Sequence, residues 1–201
     1  MNQKDHFAHK ADNYETESRR VDNVANIANG ILDRVVYSKL MHIMDLGSGT
    51  GLLTSKIAPF VAKVTAIDKS ESMSRVLRAK APSYPCELEV LDLDIADLEI
   101  VTKYDGIISS MTLHHIADIK KLFTQFYSLL RDGGSIALAD LDIEDGSFHT
   151  EDTGVHHFGF DREWLVDIAK RAGFVDIICT DVSVASKPHG DYPIFLLTAK
   201  K

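Results

Sequence analysis

Between Ile43 and Gly51 the chain reads Ile43-Met44-Asp45-Leu46-Gly47-Ser48-Gly49-Thr50-Gly51, an apolar run that passes into three alternating glycines. Glycines there let the backbone turn tightly and bring its N–H groups against a ligand with no Cβ between them. Seventeen residues beyond Gly51, Asp68 closes a second apolar run, Val64-Thr65-Ala66-Ile67. A carboxylate at such a strand tip can accept hydrogen bonds from both hydroxyls of a ribose. Asp45 is the runner-up carboxylate, placed for a cationic ligand group or for the N–H groups of the loop. The glycines spell G-x-G-x-G, so Leu52 stands where a nicotinamide or flavin fingerprint would need its last glycine, and no Gly-Lys-Ser/Thr follows as in a Walker loop. A plain strand-to-helix turn and a lone capping aspartate are the ordinary readings of each feature alone; their pairing favours a nucleoside-like ligand.

Strands feeding helices must position these residues. From Met41 onward, short apolar runs alternate with amphipathic stretches, the pattern of a parallel sheet with crossover helices. The runs predict strands over 39–46, 62–68, 87–92, 104–109, 135–140, 175–184 and 194–199, and helices over 52–60, 71–80, 119–131 and 162–172. Asp132-Gly133-Gly134 offers a stop for the third of these helices. Asp161 offers the fourth an N-cap three residues before Trp164, and Gly173 its end. Only 185–193 separates the last two strands, too short a link for a crossover, so they pair antiparallel. Upstream, Val24, Ile27, Ala28, Ile31, Leu32 and Val35 recur at helical spacing behind a polar arm. The expected division is therefore an arm and amphipathic helix over 1–38 and a ligand-binding domain over 39–201, with 141–160 as its lid.

Composition narrows the partners. The 201 residues carry a formal charge of −8 and a sequence pI near 5.5, which lacks the basic footprint that nucleic acid or an anionic membrane demands. Cys86 and Cys179 have no ligand or CxxC spacing, so neither a disulfide scaffold nor a zinc site is expected. No export signal or apolar span is visible, and a reducing cytoplasm is the expected setting.

Five ordered motifs resemble the class I S-adenosylmethionine (SAM)-dependent methyltransferases over nearly the whole chain. Asp45-Leu46-Gly47-Ser48-Gly49-Thr50-Gly51 is similar to the first motif, and Asp68-Lys69-Ser70-Glu71-Ser72-Met73 to the ribose-binding strand end. Leu93-Asp94-Ile95-Ala96-Asp97-Leu98 resembles the adenine-binding turn. Tyr104-Asp105-Gly106-Ile107-Ile108-Ser109-Ser110 through Leu113-His114-His115 resembles the fourth-strand motif, and Leu129-Leu130-Arg131-Asp132-Gly133-Gly134 the stretch before the fifth strand. The resemblance implies one Rossmann-like, doubly wound α/β domain. Its seven-stranded sheet would be mostly parallel with an antiparallel last strand, in the order 3-2-1-4-5-7-6. It implies that Gly47, Ser48, Gly49 and Gly51 pass beside the aminoacyl part of SAM, that Asp68 holds the ribose, and that Lys69 or Met73 flanks the adenine. Asp94 and the Ile95 amide would meet the adenine edge, with Asp92 and Asp97 one step away as alternatives. Ser109 or Ser110 would meet the methionine ammonium, with Asp45 nearby, and Tyr14, in the stretch His9-Lys10-Ala11-Asp12-Asn13-Tyr14, occupies the place of an aromatic in the arm of related enzymes.

Methyl transfer from a sulfonium is an in-line displacement, so alignment and exclusion of water come first and a general base is optional. Ser109-Ser110-Met111-Thr112 stands where an Asn/Asp-Pro-Pro-Tyr motif would mark methylation of adenine or glutamine amino groups. His115 and His157 are the candidate bases, from the sets His114-His115 and His149, His156, His157; the plainer reading of His114-His115 is a packing pair at a helix start. Phe158 and Phe160 would wall an apolar acceptor. His149, His156 and His157 with Asp140, Asp142 or Glu144 could be written as a metal set, but adjacent histidines point apart on a regular element, and no metal is expected. The sequence thus predicts a methyltransferase for a small-molecule acceptor, monomeric or homodimeric. A catalytically silent SAM-binding regulator is the alternative, ahead of an NAD-dependent oxidoreductase.

Overall fold

The computed structural model describes Asp5, Ala8 and residues 10–97, 101–151 and 153–201. His9 of the arm and Leu98 of the adenine-binding turn lie outside the described residues, as do the other arm residues at 1–4, 6 and 7.

The chain enters through α1 (Ser18–Leu32) and then alternates β1 (His42–Leu46), α2 (Leu52–Ile57), β2 (Lys63–Asp68), α3 (Glu71–Lys80), β3 (Glu87–Asp92) and β4 (Tyr104–Ser110). It continues through α4 (Ile119–Leu129), β5 (Leu130–Leu141), α5 (Arg162–Ala172), β6 (Val175–Lys187) and β7 (Gly190–Lys200). The seven strands form one sheet in the order β3-β2-β1-β4-β5-β7-β6, parallel except for β7, which runs antiparallel to both β5 and β6. Order and directions match the expectation above.

Period-two alternation divides the sheet's apolar side chains between two cores. Met44, Ile107 and Leu138 face Phe123, Phe126 and Leu165 of α4 and α5, whereas Ile43, Ile108 and Ala137 face Ile27, Ile31 and Ile57 of α1 and α2. The amphipathic stripe before β1 therefore belongs to the second core. Side-chain caps fix the helix starts: Ser70 accepts from the Met73 amide at 3.3 Å, Asp118 from Lys121 at 2.9 Å and Asp161 from Trp164 at 2.8 Å.

Several boundaries differ from expectation. The first strand begins at His42, because residues 39 and 40 form a turn. The third predicted helix ends at Leu129, two residues early: Leu130 leaves it to pair with Tyr104 in the sheet, and the Gly133 amide donates to the Lys201 carbonyl. Asp132-Gly133-Gly134 is thus a bulge inside β5 rather than a helix stop, marked by the register shift between Tyr104 and Gly106. The last two strands outrun their prediction because Pro188 and His189 alone turn the β6–β7 hairpin, and pairing continues to that turn.

This topology places the site. The strand order reverses between β1 and β4, and the crevice beyond the carboxyl ends of strands at such a reversal is where open α/β sheets take ligands.

Candidate active site

The glycine loop leaves β1 at the mouth of that crevice. Gly47 and Ser48 donate their amides to the Ile67 carbonyl at 2.8 and 3.2 Å, which stitches the loop to the end of β2. Asp68 then holds it from the other side: Oδ2 accepts from the Gly49 amide and Oδ1 from the Ser70 amide, both at 2.8 Å. A carboxylate has about four acceptor directions, so each oxygen keeps one for a ligand. Burial pushes the Asp68 carboxyl above its ordinary range, against the Ser70 and Gly49 hydrogen bonds.

The glycines serve different ends. A Cβ on Gly47, at φ +68°, would lie 2.0 Å from Thr112 Oγ1, so close packing of the loop on the segment after β4 excludes any side chain. A Cβ on Gly49, at φ +53°, meets no atom within 4 Å, and Gly49 itself lines the cavity. Gly51 caps α2 and accepts from the Tyr84 hydroxyl at 3.1 Å, away from the cavity.

The loop forms one wall of a cavity of about 490 Å³, within the range of about 300–1,000 Å³ that suits small ligands. Asp68, Lys69 and Met73 line it from the β2–α3 corner, and Asp94 and Ile95 from the turn after β3. Asp92 is bound instead to Arg78 at 2.7 Å, outside the cavity, which leaves Asp94 as the carboxylate of that turn. Ser48 and Ser110 also line the cavity, and the Oγ of each is buried with no hydrogen-bond partner among the described residues. Such groups ordinarily find partners, so both point to a polar ligand. Ser109 behaves differently: it is fully buried and donates to the Leu46 carbonyl at 2.8 Å, tying β4 to β1.

Asp45 lies at the cavity floor, 1% exposed, and accepts from Thr54 Oγ1 at 2.5 Å. Burial pushes its carboxyl from 3.8 up to about 7, opposed by the Thr54 hydrogen bond and reinforced by the charge of Asp68. Between those two pH values the folded chain binds a proton that the unfolded chain has lost, so this group's contribution to stability falls as pH rises. Asp45→Asn, which can still accept from Thr54, is expected to flatten that part of the pH dependence in urea titrations. A variant profile parallel to the wild type would overturn this.

The arm covers the opposite wall. Tyr14 lines the cavity with Arg20 stacked 4.2 Å over its ring, and Arg20 donates to the Tyr14 carbonyl at 2.7 Å. Glu15 accepts from Thr50 Oγ1 at 2.6 Å and pairs with Lys80. The Glu15 clasps, and Thr112 facing Gly47, join residues tens of positions apart and carry no local motif in the sequence.

Of the candidate bases, His115 lines the cavity and His157 does not: His157 Nε2 lies 3.0 Å from the Ile116 carbonyl and its ring rests against Phe160. His114, His149 and His156 line the cavity as well. Among the described residues, no group of three or more His, Cys, Asp or Glu is placed to hold a metal ion.

Residues 43–134 match the family profile described as a methyltransferase domain. That match takes in the glycine loop, Asp68 and the turn after β3. The chain is 29% identical over 150 residues to an uncharacterised methyltransferase of Schizosaccharomyces pombe, covering 66% of this chain and 52% of that one. It therefore spans about half the length of that relative. Among solved structures, phosphoethanolamine N-methyltransferase 2 of Haemonchus contortus, in complex with SAM, superposes with a TM-score of 0.70 at 17% identity, covering 88% of this chain and 52% of that one. A putative methyltransferase of Haloferax volcanii, in complex with the activator Trm112, superposes with a TM-score of 0.78 at 16% identity over 99% of both chains. At such identities the likeness is one of fold. Among the described residues no helix is long and apolar enough to cross a membrane.

Proposed function

We propose that the chain binds SAM in this cavity and transfers its methyl group to a small-molecule acceptor by in-line displacement. The observation that carries the reading is that Gly49 and Asp68, hydrogen-bonded to each other, line one cavity together with the Ser48 and Ser110 hydroxyls, which have no partner among the described residues. The residues fit the cofactor group by group. Asp68 retains acceptor capacity for a ribose diol, and Met73 and Ile95 offer apolar faces for an adenine with Asp94 at its edge. Open space beside Gly49 admits the aminoacyl chain, with Ser110 and Asp45 for its ammonium. Bound there, SAM supplies an electrophilic methyl carbon, while the protein aligns the acceptor and excludes water. The arm residues Tyr14 and Arg20 and the apolar walls of Met111, Phe148 and Ile194 enclose the remaining volume, which suits a small acceptor.

Thermal unfolding with SAM, S-adenosylhomocysteine and NAD in parallel tests the cofactor assignment. Stabilisation follows RT ln(1 + [L]/Kd), about 2.7 kcal/mol at a hundredfold excess over Kd. SAM and S-adenosylhomocysteine are expected to raise Tm and NAD to leave it in place; stabilisation by NAD alone would sink the reading.

A further inference from the structure

We propose that His114 and Asp140 form a proton-accepting dyad at the acceptor end of the cavity, and that the acceptor is accordingly a hydroxyl compound. This rests on the methyl-transfer reading above. A hydroxyl has a proton to lose on methylation, as an amine does, whereas a thiolate or a carboxylate attacks without one; Lys10 and Lys187 in the cavity wall disfavour the ammonium that an amine would bring.

Asp140 closes β5 and is fully buried. Its Oδ1 lies 2.6 Å from His114 Nδ1 and accepts from the Leu141 amide at 2.8 Å, and its Oδ2 accepts from the His114 amide at 3.4 Å. Burial alone would raise the Asp140 carboxyl, but the His114 ring and these hydrogen bonds outweigh it and hold the group below its ordinary range. An ionised carboxylate only accepts, so His114 Nδ1 carries the proton and Nε2 keeps the lone pair. That ring lines the cavity. Among the described residues, no hydrogen-bond partner occupies Nε2.

The surroundings decide which imidazole takes the proton. His115 packs 4.3 Å and His149 5.0 Å from His114, ring centre to ring centre. Burial first, and then the charge of His114, push His115 down to about 3 and His149 down to about 4. Lys187 of β6 and Lys10 of the arm press on His149 in the same direction, with Asp140 opposing. Both neighbours therefore stay neutral, while His114 has an anion in contact to stabilise its imidazolium.

His149 supplies the second half of the arrangement. Its Nδ1 lies 3.1 Å from Thr153 Oγ1, and its Nε2 is buried with no hydrogen-bond partner among the described residues. An orphaned ring nitrogen in the cavity wall is a docking point for the acceptor hydroxyl, which places that oxygen beside His114. The acceptor oxygen gives its proton to His114 Nε2 as its lone pair forms the bond to the methyl carbon. The carbon–sulfur bonding pair returns to sulfur, and the positive charge passes from the sulfonium to the imidazolium facing Asp140. His114 is the catalytic residue of this step and Asp140 a positioning residue.

The probe is trideuteromethyl-labelled SAM, given to the full chain with a protein-free extract of small metabolites, and labelled products are read by fragmentation mass spectrometry. The expected result is an O-methyl ether whose rate of formation rises with pH to a plateau. His114→Asn, whose amide can still donate to Asp140, should lower kcat by about 10²–10⁴-fold with SAM affinity unchanged in calorimetry. Asp140→Asn should lower kcat and move the pH midpoint down, since removing the carboxylate disfavours the imidazolium. Label on nitrogen would overturn the hydroxyl acceptor, and label on sulfur or on a carboxyl oxygen, a flat wild-type pH profile, or full activity in His114→Asn would each overturn the dyad. So would SAM binding with no labelled product at all. Failure to bind SAM would instead overturn the methyltransferase reading itself.

Discussion

Replacing Asp68 with alanine is expected to weaken SAM binding by about 1–3 kcal/mol, the usual cost of losing a hydrogen-bond partner to a charged group, or about 5- to 150-fold in Kd. The effect has two sources. The carboxylate would lose its contacts to the ribose, and the Gly49 and Ser70 amides, each 2.8 Å from it, would lose the acceptor that holds the loop in place. Asp68→Asn separates them, because an amide oxygen can still accept from one of those amides while the charge is gone. Calorimetry should place Asp68→Asn between the wild type and Asp68→Ala. Since burial lifts the Asp68 carboxyl, SAM affinity should decline on acidification before ordinary carboxylates titrate, and both variants should lack that decline. Unchanged affinity in Asp68→Ala would remove Asp68 from the cofactor site.

The parts of this site that were legible in the sequence are those encoded by neighbouring residues. The strand into the glycine loop and the aspartate ending the next strand are set by runs of about six residues, and their relation follows once β1 and β2 lie side by side. The sheet order came with the resemblance of five ordered motifs rather than with periodicity. Local pattern failed where a tertiary contact overrode it. Leu129 and Leu130 read alike as helical apolar positions, yet Leu130 is drawn into the sheet by Tyr104. Ser109 and Ser110 are equivalent as letters, and alternation along β4 buries one against Leu46 and turns the other into the cavity. His156 and His157 divide in the same way: both amides donate to the His114 carbonyl, but only His156 lines the cavity. In the sequence Asp140 stands only as one possible member of a disfavoured metal set, because nothing near it announces a histidine 26 residues away as its partner. Buried charge pairs across strands have no sequence period, which is why the dyad emerges only from the fold.

Two glycines two residues apart should fail in opposite ways when replaced by alanine, and the contrast tests whether the loop is shaped by packing or by its ligand. At Gly47 the added methyl would sit 2.0 Å from Thr112 Oγ1 and 2.6 Å from Thr112 Cβ, at a backbone φ of +68°. Thr112 cannot withdraw cheaply, because it follows Met111, whose own φ of +56° and amide bond to the Ala139 carbonyl at 2.9 Å fix the turn. Gly47→Ala is therefore expected to destabilise the fold by about 1–3 kcal/mol, the range for overpacking, and to lose SAM affinity as a consequence. At Gly49 the methyl meets no protein atom, and the conformational cost is about 1–2 kcal/mol at most. Gly49 lines the cavity and its amide is held by Asp68, so Gly49→Ala should lose more in SAM affinity than in stability. Urea denaturation and calorimetry on the two variants give the comparison directly. If Gly49→Ala bound SAM as tightly as the wild type, the open space beside that residue would not be where the cofactor lies, and the glycine loop would be a product of packing alone.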